Sequence, residues 1–214
     1  MELDGVKGEF TNLITLYVYV LRMLSIASYN CPGLGVAKLS YVQKLCHDHD
    51  FVLVQEHWLL NENLGIFQYR IPGTSSYGVS AIDSGRMLRG RPRGGCSILW
   101  RSNLKCAVST VDTGNCRVCV VIADFSGLKI MLVNFYLPVD TNSDRENLTE
   151  YMSALCAASS AALAHHIDCV IYGGDFNTSM SRTQVSAHLK LFVSLWHRHL
   201  SWSRVMIFST RLKV

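Results

Sequence analysis

Three apolar segments of the chain each end in a polar side chain of a kind that binds metal ions or phosphate. Asn30 follows SIASY, Glu56 follows FVLVQ, and Asp175 with Asn177 follows CVIYGG. Because ligands collect at strand ends in layered α/β folds, three such ends brought together at one edge would form a single site. Mg²⁺ takes oxygen ligands from one or two carboxylates, water and substrate phosphate. The pattern therefore predicts a hard-cation site that acts on a phosphate ester.

Each of these elements also has an ordinary structural interpretation. Asn30 suits a turn, Glu56 suits a solvated strand end, and the segment 175–177 suits a cap or turn. Their joint order favours the functional interpretation. Gly173 and Gly174 add to it, because paired glycines let backbone approach closely and keep Asp175 open to substrate.

The intervening segments alternate between strand-like and helix-like patterns, which predicts a layered α/β fold. We expect buried strands at 23–29, 51–55 and 169–172. The stretch before Arg93 is predicted to be rich in loops. Four strand-like segments then follow between Gly94 and Tyr136, a succession that indicates a meandering antiparallel sheet.

Apolar spacing of three to four residues predicts amphipathic helices at 35–49 and 143–166, the second opened by a capping box of Ser143 and Glu146. A further capping box at Ser181 predicts a third helix. No clear pattern follows Ser203.

Length and composition indicate one folded domain, because 49% of the 214 residues are apolar and only 17% are charged. We assign an N-terminal extension to residues 1–22, the domain to 23–200 and an unassigned tail to 201–214. The apolar run 13–21 is interrupted by Arg22 and is shorter than the roughly 18 residues of a spanning helix, so no membrane segment is expected.

The net charge of +4 is concentrated in one loop, since removal of four arginines within eight residues would leave the chain neutral. Such a loop predicts a polyanion partner, and a solvated loop is its ordinary alternative. The four residues are Arg86, Arg89, Arg91 and Arg93.

Eight cysteines do not indicate a disulfide framework, because a chain of this size and apolar content does not need one. Cys116 and Cys119 form a lone C-x-x-C within an alternating apolar segment, without a second ligand pair at zinc spacing. We expect reduced cysteines and no disulfides.

The motifs occur in the order found in the endonuclease/exonuclease/phosphatase superfamily, which the chain resembles over residues 23–200. Within it, SYNCPGL, VQEHWL and YGGDFN most resemble the apurinic-type endonuclease domain of non-LTR (LINE-type) retrotransposons. The motifs are Ser28-Tyr29-Asn30, Gln55-Glu56, Gly94-Gly95, Asn134-Phe135-Tyr136-Leu137-Pro138 and Gly173-Gly174-Asp175-Phe176-Asn177.

This resemblance implies a four-layered α/β sandwich of two packed mixed β-sheets flanked by helices, with a divalent-metal phosphodiesterase site at one edge. Glu56 would bind Mg²⁺ or Mn²⁺, and Asn30 would support the metal or the scissile phosphate. Asp175 would orient or deprotonate the attacking water, and Asn177 would stabilise the developing charge. Tyr136 would donate a hydrogen bond to a phosphate oxygen.

The same resemblance implies that the arginine loop contacts the backbone of DNA, or of RNA, without reading sequence. A nuclear or cytoplasmic location follows from that partner and from reduced cysteines. The open alternatives are a phosphatase or phosphodiesterase of the same superfamily acting on RNA, phosphoinositide or sphingolipid, a non-catalytic relic, and a secreted glycoprotein with sequons at Asn147 and Asn177.

The chain departs from the family pattern in one respect, since the Ser-Asp-His motif of the family's C-terminal strand is missing from it. The histidines of the helices do not replace that motif. We hypothesise that the reading frame ends early or shifts near Ser201, and expect reduced activity, because members of a catalytic unit act together. These histidines are His49, His165, His166, His188, His197 and His199.

Overall fold

The computed structural model describes residues 24–82, 94–138, 145–177 and 204–209, the last stretch by its backbone. Within these residues the chain forms nine strands, three α-helices and one 3-10 turn at Asn61–Asn63. In chain order the strands and α-helices are β1 Ile26–Asn30, α1 Val36–Asp48, β2 Phe51–Gln55, α2 Ile66–Arg70, β3 Thr74–Val79, β4 Cys96–Arg101, β5 Ala107–Val111, β6 Val118–Phe125, β7 Leu128–Tyr136, α3 Arg145–Ala164, β8 Cys169–Asp175 and β9 Arg204–Ser209.

The strands form two mixed sheets. The first sheet has the order β1-β2-β4-β3, and the second has the order β5-β6-β7-β8-β9. In the first, β1 and β2 are parallel and the other pairs are antiparallel. In the second, β5, β6 and β7 form an antiparallel meander, while β8 and β9 continue parallel to β7.

The two sheets pack face to face, and a helix covers the outer face of each. Alternation along β7 sends Ile130 and Leu132 into the core between the sheets, and Met131 and Val133 toward α3. In α3, Ala154, Leu155 and Ala158 repeat at helical spacing on the buried face. Val42 and Cys46 of α1 pack in the same way on Val52 and Val54 of β2. The expected four-layered α/β sandwich is confirmed.

Both faces of β2 are buried, which explains the continuous apolar run FVLV that precedes its last residue, Gln55. The predicted strand at 51–55 is confirmed to the residue, and the predicted helices at 35–49 and 143–166 correspond to α1 and α3. The predicted helix from Ser181 lies outside the described residues.

Two sequence expectations for the middle of the chain are wrong. The first of the four predicted meander strands, β4, pairs with β2 and β3 in the first sheet. The stretch predicted to be loop-rich contains α2 and β3. Their signals are weak because α2 has only five residues and β3, TSSYGV, is a half-buried edge strand of small polar residues.

The expectation of an unpatterned tail after residue 203 is also wrong. Arg204–Ser209 forms β9, which pairs in parallel with β8 from Cys169 to Gly174. An isolated apolar run of four residues carries no periodicity of its own, so only pairing with β8 identifies it as a strand.

Two further features concern membranes and thiols. No helix among the described residues is long and apolar enough to cross a membrane. All eight cysteines lie in the described ranges, and each is a free thiol there.

Candidate active site

The carboxyl ends of four strands converge at one edge of the sandwich. β1 and β2 end together, since Asn30 is paired in register with Gln55. β7 and β8 end together in the opposite sheet, since Tyr136 is paired with Asp175. Side chains of alternate residues share a face, so Asn30 follows Ile26 on the inner side of its sheet. The candidate site is therefore assembled from both sheets.

The amide of Asn30 joins the two carboxylates of this edge. Its Nδ2 donates to Oε1 of Glu56 at 3.2 Å and to Oδ2 of Asp175 at 2.6 Å. Asp175 is only 6% exposed. The structure thus brings together the three residues that the sequence placed at separate strand ends.

Asp175 receives a second hydrogen bond from the chain that follows it. Its Oδ1 accepts from the backbone N–H of Asn177 at 2.9 Å, so both carboxylate oxygens have a donor. Asn177 has a φ of +45° and donates its own Nδ2 to the carbonyl of Leu137 at 2.8 Å. The side chain that was expected to stabilise developing charge therefore also fastens the loop after β8 to the end of β7.

Glu56 begins a short segment of unusual backbone, because it and Trp58 have φ values of +56° and +55°. Left-handed backbone at non-glycine residues costs about 1–3 kcal/mol and persists only where the surroundings hold it. Here two neighbouring segments hold the backbone of Glu56. Gly33 N–H donates to the Glu56 carbonyl at 2.8 Å, and Glu56 N–H donates to the Gly95 carbonyl at 2.9 Å.

Two glycines of the motifs are required by close contacts. A Cβ on Gly95 would lie 2.4 Å from Cε1 of His57, and one on Gly174 would lie 2.1 Å from the carbonyl oxygen of Phe135. Both residues also have positive φ, +88° and +124°. The expectation that a glycine pair before Asp175 permits close backbone approach is confirmed at Gly174.

Tyr136 lies beside the two carboxylates. Burial raises the pKa of its hydroxyl, and the negative charges of Glu56 and Asp175 raise it further, while Arg117 opposes them. The hydroxyl therefore stays protonated well into the alkaline range and is a hydrogen-bond donor at the edge of the site.

The sequence interpretation overlooked His57, which directly follows Glu56. Its side chain is 0% exposed, and its Nδ1 accepts from the N–H of Leu59 at 3.0 Å. Burial lowers the pKa of His57 to about 4, so the ring is neutral at pH 7. The one feature of the sequence that points to His57 is its position next to Glu56, a candidate metal ligand. Its ring is buried against Gly95.

Three histidines that could have replaced the missing Ser-Asp-His motif lie in the described residues, and none of the three is at this edge. His49 precedes β2, at the opposite end of that strand from Glu56. His165 and His166 follow the end of α3. The remaining three, His188, His197 and His199, lie outside the described residues.

Arg117 is a second residue that the sequence interpretation missed. Its carbonyl accepts from the N–H of Tyr136 at 3.0 Å, and its Nη1 donates to the Tyr136 carbonyl at 3.5 Å. Its Nη2 pairs with Glu150 of α3. No sequence signal distinguishes a single arginine at the start of a strand, although this one braces a candidate site residue.

The donors at this edge fit a hard cation that shares its ligands with water and substrate. Glu56 and Asp175 supply carboxylates, and Oδ1 of Asn30 is buried without a partner in the described residues. Mg²⁺ commonly uses only one or two protein carboxylates. Over the described ranges, no three His, Cys, Asp or Glu side chains are grouped closely enough to hold a metal alone. The arginine loop, Arg86 to Arg93, lies outside them, so its role stays a prediction.

Solved structures with a similar fold include three enzymes or enzyme domains. The endonuclease domain of TRAS1, a telomere-specific non-LTR retrotransposon, has a TM-score of 0.57 and 12% identity over 80% of this chain and 71% of its own. The catalytic domain of Xenopus laevis APE2 has a TM-score of 0.54 and 18% identity over 81% and 67%. The 3' phosphatase NExo from Neisseria, bound to product DNA hairpin, has a TM-score of 0.51 and 16% identity over 74% and 59%.

These likenesses establish the fold, and the chain spans between 59% and 71% of the length of those three structures. No curated protein matches the sequence significantly. Residues 27–210, from β1 through β9, match one family over nearly the whole chain. The chain belongs to the Endonuclease/Exonuclease/phosphatase family.

Proposed function

We propose that the chain is a divalent-metal-dependent DNA endonuclease domain of a non-LTR retrotransposon. The observation that supports this most is the Asn30 amide, which links the carboxylates of Glu56 and Asp175 where the two sheets meet. Two carboxylates held together by one amide where four strands end form an arrangement suited to a metal ion and a phosphate. The proposed activity is hydrolysis of a phosphodiester bond.

Glu56 and Asn30 would hold the metal ion, Mg²⁺ or Mn²⁺. When bound, such an ion neutralises charge that develops on the phosphoryl oxygens and the leaving group. Asn30 contributes in two ways, because its Nδ2 orients both carboxylates while its Oδ1 has no other partner among the described residues.

Asp175 would orient the attacking water and take its proton. The hydrogen bonds from Asn30 and from the Asn177 N–H fix the plane of the carboxylate. A base held in one orientation needs no rearrangement at the moment of reaction.

Tyr136 would donate its hydroxyl hydrogen to a non-bridging phosphate oxygen. The raised pKa keeps this donor protonated even at alkaline pH. Asn177, which also lies at this edge, would stabilise the charge of the pentacovalent phosphorus through its amide. Positioned donors of this kind commonly contribute about 10²- to 10³-fold to a rate.

DNA is the proposed substrate for two reasons. The similar structures include a DNA-bound phosphatase and a retrotransposon endonuclease domain. The arginine loop, Arg86 to Arg93, would add four cations that contact the phosphate backbone. A nuclear or cytoplasmic location accompanies this proposal.

Nicking of supercoiled plasmid and cleavage of an abasic duplex, each with Mg²⁺ or Mn²⁺, test the function. We expect metal-dependent cleavage that falls at least about 100-fold in Glu56→Gln and Asp175→Asn. Glu62→Gln, which removes an exposed carboxylate from the 3-10 turn, should cleave like the wild type.

Three outcomes would contradict the proposal. A folded wild-type protein that hydrolyses neither DNA substrate and no phosphoinositide would support a non-catalytic member of the family. Cleavage retained in both carboxylate variants would place the chemistry elsewhere. Hydrolysis of phosphoinositide at matched salt, with none of DNA, would identify a phosphatase of the same family.

A further inference from the structure

A polar cluster lies buried in the apolar core between the two sheets, directly below the candidate site. Gln55 and Asn134 are both 0% exposed. Gln55 Nε2 donates to Asn134 Oδ1 at 2.6 Å and to Ser28 Oγ at 3.1 Å. Asn134 Nδ2 donates to the carbonyls of Val54 at 2.9 Å and Ser97 at 2.9 Å. We refer to Ser28, Gln55 and Asn134 as the inter-sheet bridge.

The inter-sheet bridge connects the sheet that carries Glu56 with the sheet that carries Asp175. Asn134 belongs to β7 of the second sheet, yet all three hydrogen bonds of its side chain reach the first sheet. A side-chain amide has two donor hydrogens and an oxygen, and here every one of these is used. The relative position of the two sheets is thereby fixed by directional bonds, which apolar packing alone does not provide.

Each residue of the inter-sheet bridge precedes a residue of the candidate site by one or two positions. Ser28 precedes Asn30 by two positions on β1, and Asn134 precedes Tyr136 by two on β7. Gln55 adjoins Glu56. Residues two apart on a strand share a face, so a shift of the bridge is passed along the strand to the site.

We propose that Gln55 and Asn134 are positioning residues that set the distance between the two halves of the active site. The Glu56 and Asn30 half belongs to the first sheet, and the Asp175 and Tyr136 half belongs to the second. This inference rests on the proposed function for its kinetic consequence, while its structural consequence, a fixed Asn30–Asp175 contact, is independent of turnover.

Gly174 supplies the space that the bridge needs. A Cβ at this position would lie 2.9 Å from Asn134 Oδ1, in addition to its contacts with the backbone of Phe135. Asn134 is also paired in register with Gly173, two residues before Asp175. The glycine pair and the bridge therefore form one packing unit below the carboxylate.

Gln55→Met tests the proposal, because methionine has a similar volume and removes the donor. Oε1 of Gln55 has no partner among the described residues, so the donor is what the substitution removes. Leu132→Val, on the same inner face of β7, is the matched control for a loosened core. Ser28→Ala is the milder second variant should Gln55→Met fold poorly.

Cleavage kinetics with Mg²⁺ and the NMR signal of the Asn30 side-chain amide provide two readouts. We expect kcat to fall about 10- to 100-fold in Gln55→Met with KM changed less than about threefold, since small displacements of reacting groups have effects of this size. The Asn30 Nδ2 signals should move in Gln55→Met and in Ser28→Ala. Leu132→Val should keep kcat within about twofold and leave those signals in place.

The NMR readout separates this inference from the proposed function. Movement of the Asn30 signals in a protein without cleavage activity would support positioning by the bridge and contradict the nuclease. Unmoved Asn30 signals in Gln55→Met, or equal effects of Gln55→Met and Leu132→Val on kcat and on the signals, would overturn the inference.

Discussion

The side-chain amide of Asn30 lies 2.6 Å from the carboxylate of Asp175, although the two residues are 145 positions apart and belong to different sheets. Both amide hydrogens are directed at carboxylates, since Glu56 accepts the second at 3.2 Å. Ionised carboxylates only accept hydrogen bonds, and only the nitrogen of the amide donates them, so the two carboxylates fix the orientation of the Asn30 amide. The oxygen of Asn30 is then the atom left for a metal ion.

Replacing Asn30 by aspartate should destabilise the metal-free protein. Asn30→Asp places a third negative charge between Glu56 and Asp175 and removes both donors, which we expect to lower the free energy of unfolding by about 1–3 kcal/mol. Thermal melting in EDTA and in excess Mg²⁺ measures this change. The metal should restore more stability to the variant than to the wild type.

Asn63→Asp, at an exposed position of the 3-10 turn, is the control for an added charge. An Asn30→Asp variant as stable as the wild type in EDTA would show that the amide does not link the two carboxylates in solution.

The buried His57 should make the protein less stable in mild acid. Its pKa is lowered from 6.5 to about 4, so the neutral ring favours folding in full above pH 6.5. That contribution is lost progressively as the pH falls from 6.5 toward 4, and it amounts to about 3 kcal/mol in total. Urea unfolding between pH 4 and 8 in metal-free buffer measures it.

His57→Asn keeps an acceptor for the Leu59 N–H and should flatten the pH dependence of stability between pH 6.5 and 4. His47→Asn, at an exposed histidine, should keep the wild-type slope. A wild-type profile as flat as that of His57→Asn would mean that His57 is not buried in solution.

Gly174→Ala should be the more costly of two glycine substitutions with positive φ. A Cβ there would lie 2.1 Å from the Phe135 carbonyl oxygen, whereas a Cβ on Gly127 would meet nothing within 4 Å. Left-handed alanine alone costs about 1–2 kcal/mol, which is the loss expected for Gly127→Ala. Gly174→Ala should exceed it by at least about 2 kcal/mol, because the clash involves backbone. Equal unfolding free energies for the two variants would contradict the close approach of β7 and β8.

Much of the fold could be predicted from local patterns. The helical spacing of α3 and the apolar run of β2 suffice to identify these elements. The helix buries one face along its length and the strand buries both, so each leaves a local pattern. The sheet to which β4 belongs could not be predicted, since its pairing with β2 joins residues far apart in sequence. β9 is defined only by its parallel pairing with β8.

The candidate site could be predicted only in part, for a related reason. Glu56 and Asp175 are marked by their places at the ends of buried strands. The contacts of Asn134 depend on how two sheets stack, and the burial of His57 depends on Gly95 and Phe67. Neither leaves a pattern in its own segment of sequence.

Arg117 should act on the reaction through Tyr136. Its Nη1 donates to the Tyr136 carbonyl, so Arg117→Gln would loosen the backbone that carries the hydroxyl, although the bond from the Tyr136 N–H to the main-chain carbonyl of residue 117 is kept. We expect kcat/KM to fall about tenfold in the wild-type background and less than about twofold in Tyr136→Phe, where the hydroxyl is already absent. Glu150→Gln should have a smaller effect than Arg117→Gln. Glu150 is half-exposed, and an ion pair at such a position contributes little.

A double-mutant cycle of Arg117→Gln and Tyr136→Phe, measured by cleavage of the abasic duplex, tests this coupling. Each variant is first shown by thermal melting to be folded at the assay temperature. Losses that multiply in the double variant would mean that Arg117 acts independently of Tyr136, for instance by contacting phosphate itself. Losses that do not multiply would mean that Arg117 acts through Tyr136, as the hydrogen bond from its guanidinium to the Tyr136 carbonyl indicates.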